Sequence, residues 1–184
     1  MVATTLLAQK TYLNFKVVHN GNKIGWIKLH KVDSGSITTI QLTSEIKRRI
    51  IFLLSVIEKQ EVSFDEGSMT SSSIYRKVND DVKMNRQTIF KGNYYEVRDK
   101  NSSERVMIKR INYNLLSMYF KEPVNIKQVY SDTFQRFLDI EPKGNASYKI
   151  ILPDGNYNYY YYVNGICSRI VIEHTLFTIE FIRI

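Results

Sequence analysis

The chain has 184 residues, is 43% hydrophobic and 12% aromatic, and carries a formal net charge of +8. That length suits one domain with a substantial core, and the composition excludes a disordered chain. Its single cysteine excludes an intrachain disulfide, and no run approaches the roughly 20 apolar residues of a membrane-spanning helix.

The charge is uneven. Residues 1–110 hold 19 Lys and Arg against 11 Asp and Glu, while residues 111–184 hold seven of each. Lys47-Arg48-Arg49, Arg76-Lys77 and Lys109-Arg110 belong to the basic part. Such a surplus attracts anionic partners. It also serves as a solvated strand face that keeps an edge from aggregating, and this plainer role is the expected one.

Met1–Gln9, MVATTLLAQ, is small and apolar without a basic start. Residues 1–8 read as the remnant of a secretory signal, with Ala8 before the cleavage point and Gln9 opening a single β-rich domain, 9–184. The competing reading is a short first strand.

From Thr11 the chain alternates. Thr11–His19 and Lys23–Val32 flank the turn Asn20-Gly21-Asn22, and Gly25 inside the second strand marks a bulge or a close backbone approach. Trp26 is expected as a core anchor. Ser36–Phe64 fits a helical stripe at Ile46, Arg49, Ile50, Leu53, Leu54 and Ile57, yet its Ile, Val and Phe content and the turn Asp65-Glu66-Gly67 favour strand. Ser68–Val78, Val82–Phe90, Tyr94–Arg98 and Arg105–Arg110 follow, separated by Asn, Asp and Gly turns.

Ile111–Phe120 breaks the rhythm. Leu115, Leu116, Tyr119 and Phe120 have helical spacing, Asn112 or Asn114 can cap, and Pro123 ends the element. One short helix is expected near 112–120, plugging an end of the sheet. Strands are then expected at Asn125–Tyr130 and Phe134–Ile140, with a turn at Glu141–Asn145.

Tyr148–Glu173 reads as three strands joined at Pro153-Asp154-Gly155 and Asn164-Gly165, both strong hairpin signals. The middle strand, Tyr157–Val163, has tyrosine on both faces, so one face packs on a core and the other meets a second layer, a ligand or water. Thr175–Ile184 closes the chain. The whole is all-β and mainly antiparallel, a long meander curled into a barrel or half-barrel.

Several of these segments carry a family resemblance. Gly21 and Gly25, Phe64-Asp65-Glu66-Gly67-Ser68-Met69 with Ser72, Asn93-Tyr94-Tyr95, and Met118-Tyr119-Phe120-Lys121-Glu122-Pro123 stand in its order. So do Leu152-Pro153-Asp154-Gly155 and Tyr160-Tyr161-Tyr162-Val163-Asn164-Gly165. Together they resemble domain-of-unknown-function family 6134, small exported bacterial proteins. The resemblance covers nearly the whole mature chain and brings no catalytic residues. It implies a distant relation to envelope proteins built as curved antiparallel sheets, some of which, lipoprotein carriers among them, hold apolar ligands.

Catalytic and metal patterns are absent. His19 lies beside a hairpin turn and His30 far along the partner strand, more than about 20 Å away at roughly 3.3 Å per residue, so they cannot share a metal. Cys167 and His174 stand seven residues apart, which puts them on opposite faces of one strand. No phosphate-binding loop, nucleophile elbow or zinc spacing appears. No cofactor or metal is expected, and nucleic acid is disfavoured because the tyrosine-rich strand lies in the electrically balanced half.

The expected function is noncatalytic binding of an apolar or amphipathic ligand, such as a lipid, on the concave face of an envelope protein. Trp26, Phe52, Tyr119, Phe120, Tyr160 and Tyr162 are the candidate lining residues, with core packing as the competing role for each. Two other classes stay open. One is a hydrolase of envelope polysaccharide using carboxylates among Glu122, Asp132 and Asp154. The other is a structural or partner-binding envelope module without a pocket.

Overall fold

The computed structural model describes residues 8–49, 53–100, 102–175 and 177–184. Two antiparallel meanders form the fold. The first contains β1 (Gln9–His19), β2 (Asn22–Ser34), β3 (Ile37–Arg49), β4 (Leu53–Asp65), β5 (Ser68–Val78), β6 (Asp81–Phe90), β7 (Tyr95–Asp99) and β8 (Ser102–Val106). The second contains β9 (Gln128–Ser131), β10 (Arg136–Gly144), β11 (Ser147–Ile151), β12 (Tyr157–Val163), β13 (Ile166–His174) and β14 (Phe177–Arg183).

β1 pairs with β14, setting Phe15 opposite Arg183 and Val17 opposite Phe181, and this joins both meanders into one 14-stranded sheet. β8 and β9 are its outer strands and do not pair with each other. The sheet is therefore barrel-like but not closed by strand pairing.

The turns follow from residues that tolerate positive φ. Asn20 and Gly21 have φ of 49° and 75°, and Asn164 and Gly165 have 53° and 74°. Such turns match the right-handed twist of the strands that they join. Gly25 acts differently. A Cβ there would sit 2.3 Å from the Glu45 carbonyl oxygen, and the β1–β2 register shifts beside it. The bulge and the close approach expected of this glycine both occur.

Alternation then fixes the inner face. Leu13, Phe15 and Val17 of β1, Ile27 and Leu29 of β2, Ile40 and Leu42 of β3, and Val62 and Phe64 of β4 are all buried. Fully burying a side chain of this size stabilises the fold by about 1.5–3 kcal/mol, so the inner face carries much of the stability.

Trp26 takes the other parity. It lies half-buried on the outer face, 5.2 Å beneath Lys28 Nζ, and is not the expected core anchor. The tyrosine strand divides in the same way. Tyr160 and Tyr162 point inward and are buried. Tyr157, Tyr159 and Tyr161 form an outer ladder with ring centroids 5.6 and 6.4 Å apart, with Lys149 4.1 Å over Tyr157.

The connector between the meanders enters the barrel. Ile111, Tyr113, Leu116 and Met118 are buried there, and α1 (Ser117–Phe120) is a single turn. The helix is shorter than expected because the backbone on either side of Asn114 is hydrogen-bonded to β9 in an isolated bridge, Asn114 to Tyr130. Tyr130 N–H donates to Tyr113 O at 3.0 Å and Leu115 N–H to Tyr130 O at 3.1 Å. Asn114 Oδ1 then accepts from Ser117 N–H at 3.1 Å, so the expected capping residue works at a later turn.

Other boundaries also differ. Ser36–Phe64 forms two strands of a hairpin, β3 and β4, whose connection at 50–52 lies outside the described residues. β8 starts at Ser102 rather than Arg105, and β10 continues through Pro142 to Gly144. Pro142 is tolerated because β9 pairs only with Arg136–Asp139, so the missing N–H faces no partner strand there.

Candidate functional site

α1 divides the barrel interior. On one side is a cavity of about 350 Å³ whose floor is Leu115, Leu116 and Tyr119. On the other side a smaller space of about 210 Å³ is bounded by Tyr113, Ser117, Phe120, Ile40 and Phe64. The larger cavity has an apolar wall of Ile27, Leu42, Ile46, Tyr160, Ile170 and Phe181. Tyr119 is fixed by an edge-on contact with Phe15, ring centroids 5.3 Å apart.

The opposite wall is polar because β4 and β5 turn charged residues inward. Glu58 shares the inward parity of Val62 and Phe64, and the register sets it directly between Ser44 and Arg76. Arg76 Nε donates to Glu58, and Gln60 Nε2 donates to the same carboxylate. This inward ion pair was hidden in the sequence by the surface-like composition around it. The parity it shares with Val62 and Phe64 is the signal that would have found it.

Asp132 stands at the third side. It occupies the β9–β10 turn, is 7% exposed, and accepts from the Ser72 hydroxyl and from Asn114 Nδ2, the latter at 3.3 Å. Burial pushes its carboxyl above the usual range, opposed by the hydrogen bonds from Ser72 and Asn114. Asp154 and Asn158 complete the polar lining from the β11–β12 turn and β12. Asn158 Oδ1 is buried without a hydrogen-bond partner.

Of the residues expected to line a ligand site, Tyr119 and Tyr160 do line this cavity. Burial raises both hydroxyls well above the ordinary tyrosine range, so both stay neutral donors and acceptors. Tyr162 is used differently, since its hydroxyl donates to Met118 O at 3.0 Å and holds α1 in place. Phe120 faces the smaller space beyond α1, and Trp26 is on the outer face. Phe52 lies outside the described residues.

The carboxylates considered for hydrolysis separate. Asp132 and Asp154 reach the cavity, joined by Glu58, whereas Glu122 accepts from the Tyr148 hydroxyl at 2.8 Å at another place. Cys167 is fully buried, and burial pushes its thiol up to about 12, far from a reactive thiolate. His19 Nδ1 lies 2.7 Å from Thr178 O, while His30 stacks on Tyr12 with centroids 4.5 Å apart. Among the described residues no group of three His, Cys, Asp or Glu is placed to hold a metal.

The model of the domain of unknown function DUF6134 matches residues 15–184. The chain belongs to this family. No curated protein matches it. Among solved structures it is similar to the crystal structure of a beta-barrel-like protein of domain of unknown function DUF1849 from Brucella abortus. That likeness has a TM-score of 0.57 at 9% identity and covers 98% of this chain and 97% of the other. At that identity the DUF6134 chain and its neighbour share a fold. The function has to be argued from the cavity itself.

Proposed function

We propose that this DUF6134 protein is exported to the bacterial envelope and binds an apolar or amphipathic molecule inside its barrel without transforming it. The cavity above α1 carries this reading. Protein interiors are close-packed, with few voids larger than a water molecule, and about 350 Å³ falls within the roughly 300–1,000 Å³ of small-molecule sites. Its wall and floor, from Ile27 and Leu42 to Tyr119, Tyr160 and Phe181, suit an apolar body. Export rests on the apolar run in Met1–Gln9 and on the family resemblance.

The test is displacement of a fluorescent apolar probe from the purified chain. Ile172, half-buried on the cavity wall, is changed to Trp to occupy the space. Saturable probe binding that falls at least tenfold in Ile172→Trp supports the proposal. Equal binding by both proteins contradicts it.

A hydrolytic reading keeps one observation in its favour, the convergence of Glu58, Asp132 and Asp154 on one cavity. All three are already engaged, Glu58 by Arg76 and Gln60, Asp132 by Ser72 and Asn114, and the exposed Asp154 by the Asn156 N–H of its own turn at 3.1 Å. Turnover of envelope polysaccharide that is abolished by Glu58→Gln or Asp154→Asn would favour it over simple binding.

A further inference from the structure

We propose that the molecule held above α1 carries a cationic, hydrogen-bond-donating head, of the alkyl-ammonium class, directed at Asp132, Asp154 and Asn158. This deepens the binding function and rests on it. The charges of the lining do not balance. Glu58, Asp132 and Asp154 face the cavity, with Arg76 as the one cation among the described residues of its wall, and Arg76 is committed to Glu58. Two carboxylates are left without a cation of their own on that wall, the buried Asp132 and, at the exposed mouth, Asp154, which accepts only the Asn156 N–H of its turn.

The nearest further cation does not make up the difference. Arg86 directs Nη1 at the backbone carbonyls of Asp132 and Thr133, 3.3 and 3.2 Å away, and Nη2 at the Asp99 carboxylate at 3.0 Å. The Asp132 carboxylate is met by neutral donors, Ser72 and Asn114.

Asn158 adds an independent requirement. The residue is half-buried on the inward face of β12, with the Tyr160 hydroxyl interacting with its side chain, but its Oδ1 accepts no hydrogen bond, and a buried acceptor left in that state costs about 1–3 kcal/mol. A ligand N–H would satisfy it. A carboxylate or phosphate head would bring further acceptors and a like charge. The inner wall therefore disfavours an anionic head.

The test uses the full chain and three probes with the same apolar tail, decylamine, decanol and decanoate, measured at pH 7 by native mass spectrometry. At that pH an alkyl amine is cationic and a carboxylic acid anionic. Decylamine is expected to bind at least tenfold tighter than decanol, with decanoate weakest. Glu58→Gln, which frees Arg76, is expected to shift the preference toward decanoate, and Asp154→Asn to narrow the margin of decylamine over decanol. Decanoate or decanol binding the unaltered chain as well as decylamine overturns the inference and leaves apolar binding standing. Failure of all three probes overturns both.

Discussion

The Ser72 hydroxyl of β5 donates to the Asp132 carboxylate of the β9–β10 turn, joining two parts of the sheet that share no strand pairing. Around this bond the connector and the seam are stitched by polar contacts. Tyr95 Oη donates to Met69 O at 3.0 Å and accepts from Ile111 N–H at 3.2 Å, while Met69 N–H donates to Ile111 O at 2.7 Å. Side chains and the backbone of the connector together do at the seam what strand ladders do elsewhere in the barrel.

Asp132→Ala should destabilise the fold by about 2–4 kcal/mol, because it strands two buried donors, the Ser72 hydroxyl and Asn114 Nδ2. Urea unfolding at neutral pH measures it. A loss below about 0.5 kcal/mol would mean that the seam is held elsewhere.

The same residue has a pH signature. Folding raises the Asp132 pKa, so the folded state binds its proton more readily than the unfolded state does. Its contribution is fully favourable below the unfolded value of about 3.9 and is lost as pH rises through the folded value. Subtracting the pH–stability curve of Asp132→Asn from that of the unaltered chain removes the other carboxylates. The difference should shift against the unaltered chain as pH rises across that window; a flat difference contradicts the assignment.

Gly25→Ala should cost about 1–3 kcal/mol or more, since the new Cβ would meet the Glu45 carbonyl oxygen at 2.3 Å and Ile46 Cα at 2.9 Å. Gly21→Ala enters open space and bears only the cost of its φ of 75°, about 1–2 kcal/mol. Thermal melts of the two variants should therefore rank Gly25→Ala lower.

Tyr162→Phe removes the donor to Met118 O and should cost about 0.5–1.5 kcal/mol. Because that bond anchors α1, amide exchange should quicken first in 117–120. Unchanged exchange there would separate Tyr162 from the plug.

Cys167 should resist a thiol reagent in the folded protein and react promptly in denaturant, because its thiol is buried and pushed up to about 12. Rapid labelling without denaturant would show that this part of the barrel opens readily.

Much of the architecture was legible because hairpin turns announce themselves. Asn20-Gly21, Glu66-Gly67 and Asn164-Gly165 all take the positive φ that their types suggest. Alternation was less informative about which face is inside. Trp26 and Ile27 are both apolar, and only the curl of the sheet assigns Ile27 to the interior. The helix near 112–120 was overextended because spacing at Leu115, Leu116 and Tyr119 records what packs together, not which backbone hydrogen bonds β9 takes. Of the site, Tyr119 and Tyr160 were readable as large inward aromatics. Glu58, Arg76 and Asn158 were not, since a charged or amide side chain on a strand normally faces water.

The central claim is that the cavity above α1 is a binding site. Native mass spectrometry of the protein purified from the cells that make it tests it most directly. The account predicts a co-purifying apolar or amphipathic molecule that is lost in Ile172→Trp. A bare mass for the unaltered chain, under conditions that preserve a known lipid complex, would contradict it.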